Sequence, residues 1–143
     1  MQAIDQIEPL VLKKKATIEF IKDENEPVVL ADTTQLKLVI INLIENAIKY
    51  SLQEPYVIIQ LLNSEDGFYA IILKDKGIGI DEKYIKQIFK KFFRVPTGNV
   101  HNVAGFGLGL NFVQKVITAH NGKIGINSVI GIGTEIKLLL PKK

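Results

Sequence analysis

A chain of 143 residues has room for one domain and not for two cores, and with 47% apolar residues that domain has enough to bury. It contains no cysteine, which excludes disulfides, thiolate metal sites and cysteine nucleophiles together, and fits a reducing compartment. The net charge of +3 and pI near 9.0 come from lysines spread along the chain, without the clustering and interleaved aromatics of a nucleic-acid surface, so no nucleic-acid partner is expected.

No apolar run approaches the ~20 residues of a membrane span, and Asp5 and Glu8 are wrong for a signal peptide, so this segment is expected to make no membrane contact. Ile4, Ile7 and Val11 at helical spacing predict a short helix over 4–14. Thr17 to Ile21 alternates apolar and polar residues as a strand does, and Pro27 to Leu30 reads as a second short strand. Asp32 is a helix cap, with Gln35 three residues on to complete a capping box; the helix it opens should run to about Tyr50. Strands over Tyr56–Leu62 and Phe68–Asp75 are joined by a turn at 63–67. A glycine turn over Lys76–Ile80 leads into a short helix from Asp81 to about Phe89. Arg94 to Gly105 lacks usable periodicity and reads as a long loop, of the kind that is usually functional or disordered. Gly107 to Ala119 is helical, His120-Asn121-Gly122 ends it, and strands over Lys123–Ser128 and Thr134–Leu140 close the chain. Helices interleaved with a largely hairpin-built sheet predict an α+β sandwich, a single domain over 1–143, and not a doubly wound parallel sheet.

The helix over 32–50 is the most informative element. Leu36, Val39, Ile40, Leu43, Ile44, Ala47 and Ile48 form its apolar arc. Asn42, Glu45, Asn46 and Lys49 fall at i, i+3, i+4 and i+7 and share a stripe ~100° wide. A solvated face is the plain account of such a stripe. Two asparagines four residues apart have no propensity reason to be there, however. Amide oxygens, a carboxylate and an ammonium within two turns are also what a Mg2+ and the phosphates it bridges require.

The second segment is Asp75-Lys76-Gly77-Ile78-Gly79-Ile80. Tyr69, Ile71, Leu73 and Asp75 share one face by period two, so a carboxylate continues an apolar face, where it is costly without a partner. An amino group such as the exocyclic amine of adenine would serve, and Gly77 and Gly79 let backbone approach a flat ring. An ordinary strand-to-helix turn capped by Asp81 is the alternative. The third segment, Gly105-Phe106-Gly107-Leu108-Gly109-Leu110, leads into a helix, and glycines that expose backbone N–H groups at a helix start make an anion site. It is not the dinucleotide fingerprint, which needs a glycine at position 110, nor a GxxxxGK[ST] loop, since no lysine follows at the right spacing.

Together these segments resemble the catalytic ATP-binding domain of sensor histidine kinases. Asn42-Leu43-Ile44-Glu45-Asn46-Ala47-Ile48-Lys49-Tyr50-Ser51 is similar to that family's N box, Asp75–Ile80 to its first glycine box, and Gly105–Leu110 to its second. Ile88-Phe89-Lys90-Lys91-Phe92-Phe93-Arg94 is similar to the F box, and His120-Asn121-Gly122 with Gly131-Ile132-Gly133-Thr134 to the usual ending. Order and spacing agree over roughly residues 5–141.

The resemblance implies the histidine-kinase/gyrase ATPase fold, a mixed sheet covered on one face by three helices, with ATP and Mg2+ as cofactors. Asn46 would be the Mg2+ ligand, Asn42 and Lys49 would hold phosphates, and Tyr50 would pack against adenine. Asp75 would accept from the adenine amine, with Gly77, Gly79, Ile80 and Phe92 lining the pocket and Thr134 assisting through water. Gly105, Gly107, Leu108, Gly109 and Leu110 would flank a mobile lid over about 94–104. Glu45, beside Asn46, is the candidate base or orienter for the attacking imidazole. Arg94, with Lys91, would approach the transferred phosphate. Phe89, Phe92 and Phe93 are either core or a docking surface for a helical hairpin.

The implied activity is transfer of the γ-phosphoryl group of ATP to a histidine on a separate dimerisation domain, with a response regulator downstream. The isolated domain would be a monomer, in the cytoplasmic part of an inner-membrane receptor. A degenerate nucleotide-binding sensor and an ATPase clamp of the gyrase or chaperone type are the alternatives. Asn46, Lys49 and Asp75 argue against the first, and the Phe89–Arg94 pattern against the second. Three departures stand out. Lys76 occupies a position usually small or polar, and Asn121 stands where glycine is common, although asparagine tolerates the left-handed conformation. The family's His-Glu or His-Asp acceptor motif is also missing. His101 falls in the lid and His120 reads as a helix-terminal cation, so the chain is expected to bind ATP without phosphorylating itself.

Overall fold

The computed structural model describes residues 2–22, 31–51, 53–64, 67–90 and 109–142, with side chains from Ile7 onward in the first stretch. Period-two alternation builds five strands: β1 (Thr17–Lys22), β2 (Tyr56–Asn63), β3 (Phe68–Asp75), β4 (Lys123–Val129) and β5 (Gly133–Pro141). They form one sheet in the order β1-β2-β3-β5-β4. β1 runs parallel to β2 and every other pairing is antiparallel, so the sheet is mixed as expected. Three helices, α1 (Gln2–Lys14), α2 (Thr33–Lys49) and α3 (Gly109–Ala119), complete the sandwich.

The apolar arc of α2 decides the packing. Val39, Leu43, Ile44 and Ile48 are buried against Val57 and Ile59 of β2 and Leu73 of β3, with Ile136 and Leu138 of β5 in the same cluster. α1 packs on one flank of α2 and adds Ile7, while α3 packs on the other and adds Val113, Val116 and Ile117. Fully burying each such side chain contributes roughly 1.5–3 kcal/mol, so this cluster is the main source of stability. β1 is an edge strand, and of its six residues all but Ile18 are exposed.

Local chemistry sets the helix ends. Asp32 caps α2, its side chain accepting from the Gln35 N–H at 3.0 Å. The reciprocal half of the expected capping box is not made by Gln35: the Asp32 N–H donates to His120 Nε2 at 2.9 Å. A backbone N–H can only donate, so Nε2 accepts, and Nδ1 donates to the Val116 carbonyl at 2.8 Å. His120 is therefore not the helix-terminal cation expected from sequence but a neutral clip between the end of α3 and the start of α2. Asn121 takes the left-handed conformation (φ 60°) foreseen for it, and the Gly122 N–H reaches back to the Ile117 carbonyl at 2.8 Å. α1 ends the same way, with Lys15 at φ 54° and the Ala16 N–H on the Val11 carbonyl at 2.9 Å.

One predicted element changes form. The helix expected from Asp81 to Phe89 is a single 3-10 turn, Glu82–Tyr84, capped by Asp81 and followed by irregular turns. One turn does not repay helix nucleation, and tertiary contacts decide instead: Ile88 is buried and the Phe89 carbonyl accepts from Asn111 Nδ2 of α3 at 3.0 Å. The strand expected at Pro27–Leu30, the lid over 94–104 and positions 107–108, where the last helix was expected to start, lie outside the described residues.

Candidate functional site

The polar stripe of α2 survives folding as a stripe. Asn42, Glu45, Asn46 and Lys49 are all half-exposed, while Leu43, Ile44, Ala47 and Ile48 between them are buried. Lys49 Nζ lies 3.9 Å from Glu45 Oε2, with each side chain about a third exposed. An exposed pair this long is worth under ~1 kcal/mol, so Lys49 is free to exchange its partner for a phosphate. The first residue of α3 comes down directly onto this stripe: a Cβ built on Gly109 would lie 3.6 Å from both Asn42 Oδ1 and Asn46 Nδ2. Among the described residues α3 begins at Gly109, and the start of a helix carries its positive dipole end. Two amides thus face an anion-seeking helix start. Leu110 packs its side chain against the core.

Among the described residues no group of three or more His, Cys, Asp or Glu could hold a metal. The donors that are present, the Asn42 and Asn46 amides and the Glu45 carboxylate, suit Mg2+, which binds through one or two protein oxygens plus phosphate and water.

The glycine turn after β3 is wedged between the end of α2 and the tip of the β4–β5 hairpin. Its Ile78 N–H donates to the Tyr50 carbonyl at 3.1 Å, and the Ile78 carbonyl accepts from the Gly131 N–H at 2.9 Å. Glycine is required here. A Cβ on Gly77 would sit 3.0 Å from both the Tyr50 carbonyl and Asp75 Oδ1. Gly79 has φ +76°, and its Cβ would fall 2.2 Å from the Val129 carbonyl. The close approach seen at these two glycines is to the protein's own α2 end, Asp75 side chain and hairpin.

Asp75 and Thr134 are register partners across β3 and β5. Asp75 Oδ1 accepts from the Gly77 N–H at 2.8 Å and from the Thr134 N–H at 3.3 Å. Burial pushes the Asp75 carboxyl above the ordinary aspartate range, and the two backbone N–H groups only partly offset this. Oδ2 makes no hydrogen bond among the described residues, which leaves it for a ligand.

Sequence reasoning missed Ser128. Its Oγ accepts from the Ile80 N–H at 2.7 Å, donates to the Gly133 carbonyl at 3.0 Å and meets Thr134 Oγ1 at 2.7 Å. The signal was available, since Ile124, Ile126 and Ser128 share a face by period two just as Leu73 and Asp75 do. Asn111, which ties α3 to Phe89, was also missed and has no such signal. Of the expected site residues, the fold brings Asn42, Asn46 and Gly109 together, and Tyr50, Asp75, Gly77 and Thr134 together. Phe92, Arg94, Gly105, Gly107 and Leu108 lie outside the described residues. No described helix is long and apolar enough to cross a membrane.

The family model described as histidine kinase-, DNA gyrase B-, and HSP90-like ATPase matches residues 31–143. The sensor protein RprX of Bacteroides fragilis is 41% identical over 120 residues, which is 83% of this chain and 23% of RprX. The solved catalytic domain of histidine kinase ThkA is 27% identical with a TM-score of 0.82, covering 99% of this chain and 88% of that one. Full-length ShkA, solved in complex with AMPPNP, is 26% identical with a TM-score of 0.83, covering 99% of this chain and 28% of ShkA. The chain thus spans less than a quarter of the length of its curated relative RprX.

Proposed function

Because this chain belongs to the family of histidine kinase-, DNA gyrase B- and HSP90-like ATPases, we propose that it is the catalytic domain of a sensor histidine kinase, moving the γ-phosphoryl group of Mg·ATP to a histidine on a separate dimerisation domain. The observation that carries this reading is the start of α3 set over Asn42 and Asn46. It sets a helix start over two side-chain amides, a combination suited to phosphate, and those amides lie on the helix whose end meets the glycine turn. The similarity to the solved ThkA catalytic domain and to full-length ShkA, solved in complex with AMPPNP, supports it.

In this reading the adenine amine donates to Asp75 and the ring lies against Tyr50, Gly77, Gly79 and Ile80, with Phe92 closing the pocket. Asn42 and Lys49 hold phosphate oxygens, helped by the backbone of Gly105, Gly107, Leu108, Gly109 and Leu110. Asn46 holds Mg2+, which neutralises phosphate charge when bound. Glu45 orients the incoming imidazole, and Arg94 approaches the transferred group. Phosphoryl transfer depends mainly on such positioning and charge stabilisation. The partners are a helical dimerisation hairpin bearing the acceptor and a response regulator. The place of action is the cytoplasmic portion of a receptor.

The test has two stages. Calorimetry should show Mg-dependent ATP binding by the chain. Radiolabelled ATP should then label an added hairpin from the parent kinase with the acid lability of phosphohistidine. Binding without transfer would point to a nucleotide sensor instead of a kinase, and absent binding would end the reading.

A further inference from the structure

Ser128 has one proton and two lone pairs, and the structure uses all three. The Ile80 N–H can only donate, so it occupies one lone pair at 2.7 Å. The Gly133 carbonyl can only accept, so it takes the proton at 3.0 Å. What remains toward Thr134, at 2.7 Å, is a lone pair, and Thr134 must donate its own proton to it. The Gly133 carbonyl is held in place, since that residue has φ +145° and its Cβ would fall 2.0 Å from the Asp75 carbonyl. Thr134 is 9% exposed, so its hydroxyl has little water to turn to.

The Thr134 oxygen is thereby left with lone pairs only. Its neighbour Asp75 is an acceptor too when ionised, with Oδ1 already taking two backbone N–H groups. The side chains of Asp75, Ser128 and Thr134 together therefore offer acceptors and no spare donor. Such a surface pairs with an amino group and repels a carbonyl in the same place. We infer that Ser128 is a specificity-determining positioning residue: by capturing the Thr134 proton it makes the base pocket select a 6-amino purine and reject a 6-oxo purine. The inference rests on the nucleotide-binding reading above and names the residue that sets its base selectivity.

Competition binding with ATP, inosine triphosphate and purine riboside triphosphate, which lacks the 6-substituent, tests it on the full chain. The wild type should bind the inosine nucleotide more weakly than the unsubstituted purine, because an acceptor faces an acceptor. Ser128→Ala frees the Thr134 proton to donate, so the ATP-to-inosine preference should fall roughly tenfold, the scale of one hydrogen bond to a buried group. Ser128→Thr should restore it, and Ser128→Ala should have no further effect on the ratio in a Thr134→Val background. A merely structural Ser128 would lower all affinities together and leave the ratio alone. An unchanged ratio, or wild-type binding of the inosine nucleotide as tight as the unsubstituted one, overturns the inference while leaving ATP binding intact. Failure of the wild type to bind ATP overturns both.

Discussion

Replacing Asp75 by asparagine should weaken nucleotide binding without weakening the apo fold. The asparagine carbonyl can still accept from the Gly77 and Thr134 N–H groups, now at 2.8 and 3.3 Å from Asp75 Oδ1, so the local hydrogen bonding has a substitute. What disappears is a carboxylate that burial disfavours. Its folded-state pKa is raised, so its contribution to stability is greatest below the unfolded value of about 3.8 and is lost as pH rises through the folded value. At neutral pH the ionised group is a net cost, and Asp75→Asn should unfold at the same temperature as the wild type or higher. The ligand sees the opposite. An amine loses a charged acceptor, worth about 1.5–3 kcal/mol, and ATP should bind roughly ten- to a hundredfold more weakly. In the wild type, ATP affinity should also fall on acidification, starting at a higher pH than an ordinary aspartate would give, and the variant should lack that dependence. Thermal unfolding without nucleotide and calorimetry across pH measure both halves. A variant that binds ATP as the wild type does, or that melts several degrees lower, would refute the reasoning.

Asn46→Ala should abolish the Mg2+ dependence of ATP binding and leave the circular dichroism spectrum unchanged, because Asn46 sits on the half-exposed stripe; a retained metal response removes its role. Gly79→Ala places a Cβ 2.2 Å from the Val129 carbonyl at φ +76°, and should destabilise by about 2–4 kcal/mol as read by denaturant unfolding. A change below ~1 kcal/mol would mean that the hairpin tip yields easily. Lys15→Gly should move the other way, raising stability by about 0.5–1 kcal/mol, read as a higher denaturation midpoint at constant m, since Lys15 is held at φ 54°.

What the sequence made legible follows from period. Long amphipathic elements announced themselves: the α2 arc from Val39 to Ile48 was assigned to the core and is there, and the alternation in β2, β3 and β5 gave the sheet its inner face. Asp75 was legible because a carboxylate is conspicuous at the end of an apolar face. Ser128 stood in the same relation to Ile124 and Ile126 and passed unnoticed, because a serine near a hairpin tip is unremarkable until its partners are known. The short segment after Asp81 failed for a different reason. Its single turn has no conformation of its own, and the buried Ile88 and the Asn111 bond at Phe89 decide it from outside. His120 was misread in the same way. Its partner is the Asp32 N–H, 88 positions away, and no local pattern encodes a bond of that span.

The central pairing of the sheet joins parts of the chain that are distant in sequence. Every residue of β3 has a partner on β5, from Phe68 opposite Pro141 to Asp75 opposite Thr134, and α2 packs on α3. A polypeptide opened between positions 90 and 109 would yield one fragment carrying Asn42, Asn46 and Asp75 and another carrying Gly109, Ser128 and Thr134. Neither fragment alone has the Asp75–Thr134 pairing or α3 above the asparagines. Reassembly through the β3–β5 ladder would create both at once, at the entropic cost of a bimolecular encounter. The residues proposed to bind nucleotide are thus split between the two halves, and fusing each half to one member of an interacting pair should let ATP binding report that the pair has met.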